Sequence, residues 1–150
     1  MLAYEKLKRY CTYQDRCHQE VRTKLIAIKI YGDDLEEIIA ELISEDYLNE
    51  ERYARSYTRG KFRMKKWGRN KIRYQLYGKK ISDYCIKKGL EEIDEQEYVD
   101  TVKLILENQL QKHEAKGAII AKDKAIKYAT SRGYESNLIF NVIRELEIKK

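Results

Sequence analysis

Apolar positions recur along this chain at helical rather than strand spacing, and they recur three times in one arrangement. In the first stretch Val21 and Leu25 stand four apart, Ile30 follows five later, and Leu35, Ile38, Ile39 and Leu42 continue at intervals of three and four. The second stretch reads Ile72, Leu76, Ile81, then Cys85, Ile86, Leu90 and Ile93. The third reads Ala125, Ala129, Tyr134, then Leu138, Ile139, Val142, Ile143 and Leu146. The anchors Leu25, Leu76 and Ala129 lie 51 and 53 residues apart, a period typical of helical repeats. An i, i+4 pair marks the inner face of one helix, the residue five later marks a turn, and the series after it marks the next helix. Ahead of each pair lies one more helical pattern: Tyr4, Leu7, Tyr10 and Cys11; Tyr53, Tyr57, Met64 and Trp67; Val102, Ile105, Leu106 and Leu110.

The pattern therefore predicts an all-α fold of three tandem three-helix, helix-turn-helix-like repeats, over residues 1–48, 49–97 and 98–150. A short helix pair cannot hide its apolar stripe alone, so the repeats are expected to pack end to end into an elongated, curved body. Helix breakers are sparse: proline is absent, and glycine stands only at 32, 60, 68, 78, 89, 117 and 133. Gly32 with Asp33 and Asp34 is expected to end one helix and cap the next, Ser82-Asp83 follows Ile81, Gly68 separates the first two helices of the middle repeat, and Gly133 precedes Tyr134 and Ser136. With 43% hydrophobic and 37% charged residues, the chain is too apolar to be disordered and should carry a heavily ionised surface. No apolar run is long enough to cross a bilayer, and Met1 to Lys6 has no continuous hydrophobic segment of the kind a signal peptide carries, so a soluble, cytoplasmic protein without a membrane partner is expected.

Charge changes the picture because it is segregated. Asp33 to Glu51 holds nine acidic residues and no lysine or arginine. From Arg52 to Ser82 the balance reverses, with twelve basic residues and no acid, within a net charge of +6. At about 100° per residue, Arg52, Arg55, Arg59, Arg63 and Lys66 share one stripe of a helix, while Tyr53, Tyr57, Gly60, Met64 and Trp67 share another, expected to be the core face. So long an acid-free run has little local compensation, and the arginine fork suits phosphate or carboxylate. The residues expected to meet a polyanionic partner are Arg55, Arg59, Lys61, Arg63, Lys65, Lys66, Arg69, Lys71, Arg73, Lys79 and Lys80. Arg52 ranks below Arg59 and Arg63, because its place beside Tyr53 also suits a structural ion pair with the acidic segment. Phe62 is placed beside the cationic stripe, and Tyr74 and Tyr77 flank the next helix, where a base could stack; packing within the protein is the plainer role for these rings.

Catalytic and metal-binding patterns are missing. His18 and His113 have no partner constellation at motif spacing, and Cys11, Cys17 and Cys85 fit neither a disulfide framework nor a zinc site. There is no phosphate-cradling G-x-x-x-x-G-K-[ST] loop, no G-x-G-x-x-G turn and no H-E-x-x-H pair. The expectation is a protein that is not an enzyme and uses no cofactor or metal.

The stretch Asn49-Glu50-Glu51-Arg52-Tyr53-Ala54-Arg55-Ser56-Tyr57 resembles the hallmark segment of RecX proteins, an acidic or amide lead followed by Arg, an aromatic, Ala and a second aromatic. The resemblance continues through Gly68, Ile72, Leu76 and Lys79-Lys80-Ile81-Ser82, and Glu20-Val21-Arg22-Thr23-Lys24-Leu25 is similar to the family's early E-[LV]-x-x-K-L segment. Lys29 and Lys80 depart from it, standing where the family commonly has glycine, and Cys17 occupies a usual Ser or Thr cap position. The resemblance implies tandem three-helix modules in a monomer bound in the groove of the RecA filament. Its partners there would be RecA and single-stranded DNA or the DNA phosphate backbone. It implies restraint of RecA's recombinase, ATPase and coprotease activities in DNA repair and the SOS response. The rival is a helix-turn-helix-like DNA-binding regulator without RecA interaction. It suits this chain less well: the third helix of the first repeat is acidic, and the last helix, from Glu135 to Ile148, carries only Arg144. A helical-repeat adaptor for an acidic protein is a third reading.

Overall fold

The computed structural model describes residues 2–148. Every regular element among them is helical: α1 (Leu2–Tyr13), α2 (His18–Ala27), α3 (Gly32–Ser44), α4 (Glu50–Lys65), α5 (Arg69–Gly78), α6 (Asp83–Leu90), α7 (Glu95–Lys112), a 3-10 turn (Glu114–Lys116), α8 (Ala118–Ser131) and α9 (Ser136–Ile148). In chain order they form three triplets, each with its second and third helices joined by a tight turn. No helix among the described residues is long and apolar enough to cross a membrane.

That tight turn is where the recurring five-residue step finds its physical cause. The Ile30 N–H donates to the Leu25 carbonyl (3.0 Å), Ile81 to Leu76 (3.2 Å) and Tyr134 to Ala129 (3.1 Å). Each bond runs from the third residue past the helix end back to its last turn, closing a Schellman motif and folding the apolar residue after the turn onto the apolar residue before it. The motif needs a left-handed residue between them, supplied by Lys29 (φ 66°), Lys80 (φ 62°) and Gly133 (φ 101°). The two lysines thus occupy a conformation that favours glycine. α2 consequently ends at Ala27 and is closed by Lys29, whereas Gly32 is the first residue of α3. Asp46, also left-handed, ends α3 in the same way, with the Tyr47 N–H donating to the Leu42 carbonyl (2.9 Å), whereas after the left-handed Lys66 the Trp67 N–H reaches six residues back to the Lys61 carbonyl (3.2 Å).

N-terminal caps follow ordinary chemistry. Glu20 accepts the Cys17 backbone N–H (3.0 Å) at the start of α2, Ser82 accepts from Cys85 at α6, and Asp94 accepts from Glu97 at α7.

The chain forms two compact units, Met1–Tyr57 with Leu76–Gly89, and Thr58–Gln75 with Leu90–Lys150, so that α4 and α5 each contribute to both. In the first unit Tyr4, Leu7, Cys11, Val21, Leu25, Leu35, Ile39, Leu42 and Leu48 make a continuous core. Gly89 lies against the backbone of Ala54, where a Cβ would come within 2.7 Å of the carbonyl oxygen. In the second unit Tyr98 sits between Phe62 and Tyr134, with ring centroids 5.8 and 5.1 Å away. Ile72, Val102, Leu106, Ala125, Ala129 and Ile143 are buried in the same unit.

Candidate polyanion interface

Tyr53 of the suggested core stripe is buried, but the rest of the buried line of α4, Ala54, Thr58 and Phe62, runs about 140° around the helix from that stripe. Phe62 is 4% exposed against Tyr98, so it does not stand beside the cations, whereas Met64 is 83% exposed. Tyr74 and Tyr77 are both exposed.

Much of the basic run is compensated, partly by acids just ahead of it and partly by acids distant in sequence. Arg52 donates to Asp15 and Asp46 (3.1 Å each), Arg55 to Glu51 (3.2 Å) and Arg59 to Glu92 (2.7 Å). Arg69 is held most firmly. Its guanidinium donates to Glu135 (3.0 Å) and to Glu95, lies 4.0 Å from the Tyr98 ring centroid, and its backbone N–H donates to the Tyr98 hydroxyl (2.9 Å). Tyr98 in turn donates to Glu135. Burial opposes the charge on Arg69, but the Glu135 and Glu95 carboxylates outweigh it and hold the guanidinium above its ordinary pKa. Burial, reinforced by the Glu135 acceptor, pushes the Tyr98 phenol up. Arg69 is therefore built into the fold of the second unit.

Around the end of α4 the remaining cations gather. Arg63, Lys65 and Lys66 are exposed, and Lys61 and Lys71 lie over the Trp67 ring at 5.0 and 4.6 Å from its centroid. Arg73, also exposed, donates to Asn70 (3.0 Å). The turn that carries them is fixed from the C-terminal repeat within the same unit. The Gly68 and Asn70 N–H groups donate to the Arg132 and Gly133 carbonyls (2.7 and 2.9 Å), and Tyr134 and Arg132 donate to the Lys66 (2.8 Å) and Lys65 carbonyls. Gly68 and Gly133 meet backbone to backbone, since a Cβ on Gly68 would come within 2.4 Å of Gly133. The end of α4 and the backbone-locked turn after it thus present the exposed cations Arg63, Lys65 and Lys66 beside an ammonium-flanked indole, a set able to bind phosphates.

The other candidate residues, Arg55, Lys79 and Lys80, belong to the first unit; Lys79 lies 5.9 Å from the Tyr57 ring centroid and Lys80 is exposed. Sequence reasoning missed the carboxylates Glu92, Glu95 and Glu135, whose separation from their partners leaves no local signal. It also passed over a second set of cations in the first unit, Lys6, Arg9, Arg16 and Lys24, although Lys6, Arg9, Tyr10 and Tyr13 already share one helical face. Among the described residues no three His, Cys, Asp or Glu side chains cluster to hold a metal, and Cys11, Cys17 and Cys85 are unbridged.

Comparison with known proteins converges on the same segment. Residues 49–90 match the family described as RecX, second three-helix domain. The Regulatory protein RecX of Bacillus cereus (strain B4264) is 24% identical over 148 residues, which is 99% of this chain and 55% of the relative, and that of Bacillus cytotoxicus is 25% identical over the same coverage. The chain thus spans about half the length of the curated relatives it matches. The crystal structure of RecX from Lactobacillus salivarius superposes with a TM-score of 0.89 at 26% identity, covering 97% of this chain and 95% of that one. A second crystal structure of regulatory protein RecX shares the fold, with a TM-score of 0.86 at 21% identity over 95% of this chain and 70% of that one. The repeated three-helix fold, the match of the segment opening α4 to the second-domain model and the relatives aligned along nearly the whole chain make this chain similar to RecX proteins in both sequence and fold.

Proposed function

We propose that this protein binds the RecA recombinase filament on DNA as a monomer in the cytoplasm and restrains its recombinase, ATPase and coprotease activities in DNA repair and the SOS response. The observation that carries the reading is the placement of the exposed cations Arg63, Lys65, Lys66 and Arg73, with the Lys61–Trp67–Lys71 cluster, inside the segment that matches the family's second domain. These side chains face DNA phosphate within the filament or acidic RecA surface. Arg59 and Arg69 hold the surface in place through their carboxylate partners. The repeats 1–48, 49–97 and 98–150 act as successive binding modules, and no bond-making chemistry is involved.

The test is binding of the chain to RecA filaments assembled on single-stranded DNA, compared with bare single strand and with duplex. The proposal expects tightest binding to the filament, weakened by Arg63→Glu with Lys66→Glu while helicity is kept. Equal affinity of both proteins for the filament removes the surface from the account. Tight duplex binding without filament preference supports a helix-turn-helix-like DNA-binding regulator instead.

A further inference from the structure

The first unit carries a cationic, aromatic groove that the filament reading does not use. Its floor is the outward face of α1. At about 100° per residue, Lys6, Arg9, Tyr10 and Tyr13 fall within a stripe of roughly a third of the helix circumference, while Leu7 and Cys11 turn inward to the core. Arg16, just past the helix, and Lys24, from α2, complete a groove of about 530 Å³.

Four cations line this groove and no carboxylate does. Arg16 lies 3.7 Å from the Tyr10 ring centroid, and its Nε donates to the Tyr10 carbonyl (3.1 Å), covering the negative end of α1. Glu20, 4.0 Å from the guanidinium, balances Arg16, and Lys24 lies 5.5 Å from the Tyr10 ring. Lys6 and Arg9 are exposed, and Tyr13 holds its ring 83% exposed at the helix end. Like charges crowded around an apolar floor repel each other until an anion enters, so the resting groove is complementary to negative charge.

Which anion is decided by the tyrosines. An acidic peptide would use the cations and leave the Tyr13 ring in water. A single-stranded nucleic acid uses both, with phosphates against Lys6, Arg9 and Lys24 and an unstacked base on the ring. We infer that this groove of the first repeat is a single-strand-binding site, with Tyr13 as its stacking platform and Lys6 and Arg9 as its phosphate ligands. It needs no RecA, so it stands or falls separately from the filament reading.

The experiment is fluorescence anisotropy of the full chain in the Arg63→Glu, Lys66→Glu background, which weakens the other cationic surface. The probes are a short labelled oligothymidylate, a base-free strand of equal length and polyglutamate. Oligothymidylate is expected to bind more tightly than either alternative. Tyr13→Ala should weaken it roughly five- to a hundredfold, leave the base-free strand unchanged, and be rescued by Tyr13→Phe. Lys6→Gln with Arg9→Gln should weaken both strands and flatten the salt slope by about 0.7 for every phosphate that is no longer neutralised. Tyr13 is exposed, so circular dichroism is expected to be unaltered. Unchanged oligothymidylate affinity in Tyr13→Ala overturns the proposal, and so does polyglutamate binding as tightly as oligothymidylate.

Discussion

Replacing Lys29 by glycine should make this protein more stable, although glycine ordinarily weakens helical proteins. Lys29 is the left-handed residue that closes α2, at φ 66°, with the Ile30 N–H bonded back to the Leu25 carbonyl. A side chain in that region costs about 1–2 kcal/mol relative to right-handed backbone. Glycine removes that cost but is freer in the unfolded chain, which offsets about 0.5–1 kcal/mol. The net gain is about 0.5–1 kcal/mol, or about 1–4 °C in Tm for a chain of this size. Urea titration checks it through a rise in the midpoint at unchanged slope. Glu37→Gly, at an exposed interior position of α3 in the same unit, is the control and should cost about 1 kcal/mol. A lower midpoint for Lys29→Gly, or the same sign for both variants, would refute the turn assignment.

Other variants test other parts of the account. Gly68→Ala sets a Cβ 2.4 Å from the Gly133 backbone, which cannot yield as a side chain does, and should cost at least about 1–3 kcal/mol by urea titration. Arg69→Gln should lower stability by about 1.5–3 kcal/mol, because it breaks charge-assisted bonds to Glu135 and Glu95, and leave the salt slope of oligonucleotide binding unchanged. Arg63→Gln should do the reverse, with a stability change within about 0.5 kcal/mol and a salt slope reduced by about 0.7–0.9. Hydrogen bonding from Arg22 holds the Glu36 carboxyl below the ordinary carboxylate range. Its folded pKa is thus below its unfolded one, so the pair helps above the unfolded value and its contribution is lost as pH falls through the folded one. Nuclear magnetic resonance titration should show Glu36 returning to the ordinary range in Arg22→Gln, and an unmoved titration would deny the pairing.

The repeated helices were legible because burial against a core imposes a period that Leu25, Leu76 and Ala129 share. The turn was legible for the same reason, since Ile30, Ile81 and Tyr134 must fold back onto those anchors. Its left-handed residue was not: lysine at 29 and 80 carries no sign of positive φ, and Gly32 is the more obvious helix breaker nearby. The face of α4 was misjudged because Tyr57, Met64 and Trp67 look like core residues by composition, while the buried line runs through small Ala54 and polar Thr58 to Phe62. The basic run itself was plain. What hid was its division into structural and exposed members, because Glu92, Glu95 and Glu135 reach Arg59 and Arg69 only through tertiary structure. The groove of the first repeat was hidden because the short α1 holds too few charges to register as a run.

The most direct test of the central claim is the DNA-dependent ATPase of the cognate RecA on single-stranded DNA, titrated with this protein below the RecA concentration. Filament regulation predicts inhibition at substoichiometric ratios that persists when DNA is in excess and is relieved by the Arg63→Glu, Lys66→Glu variant. An ATPase rate unchanged throughout the titration, or a loss reversed simply by adding DNA, would contradict it.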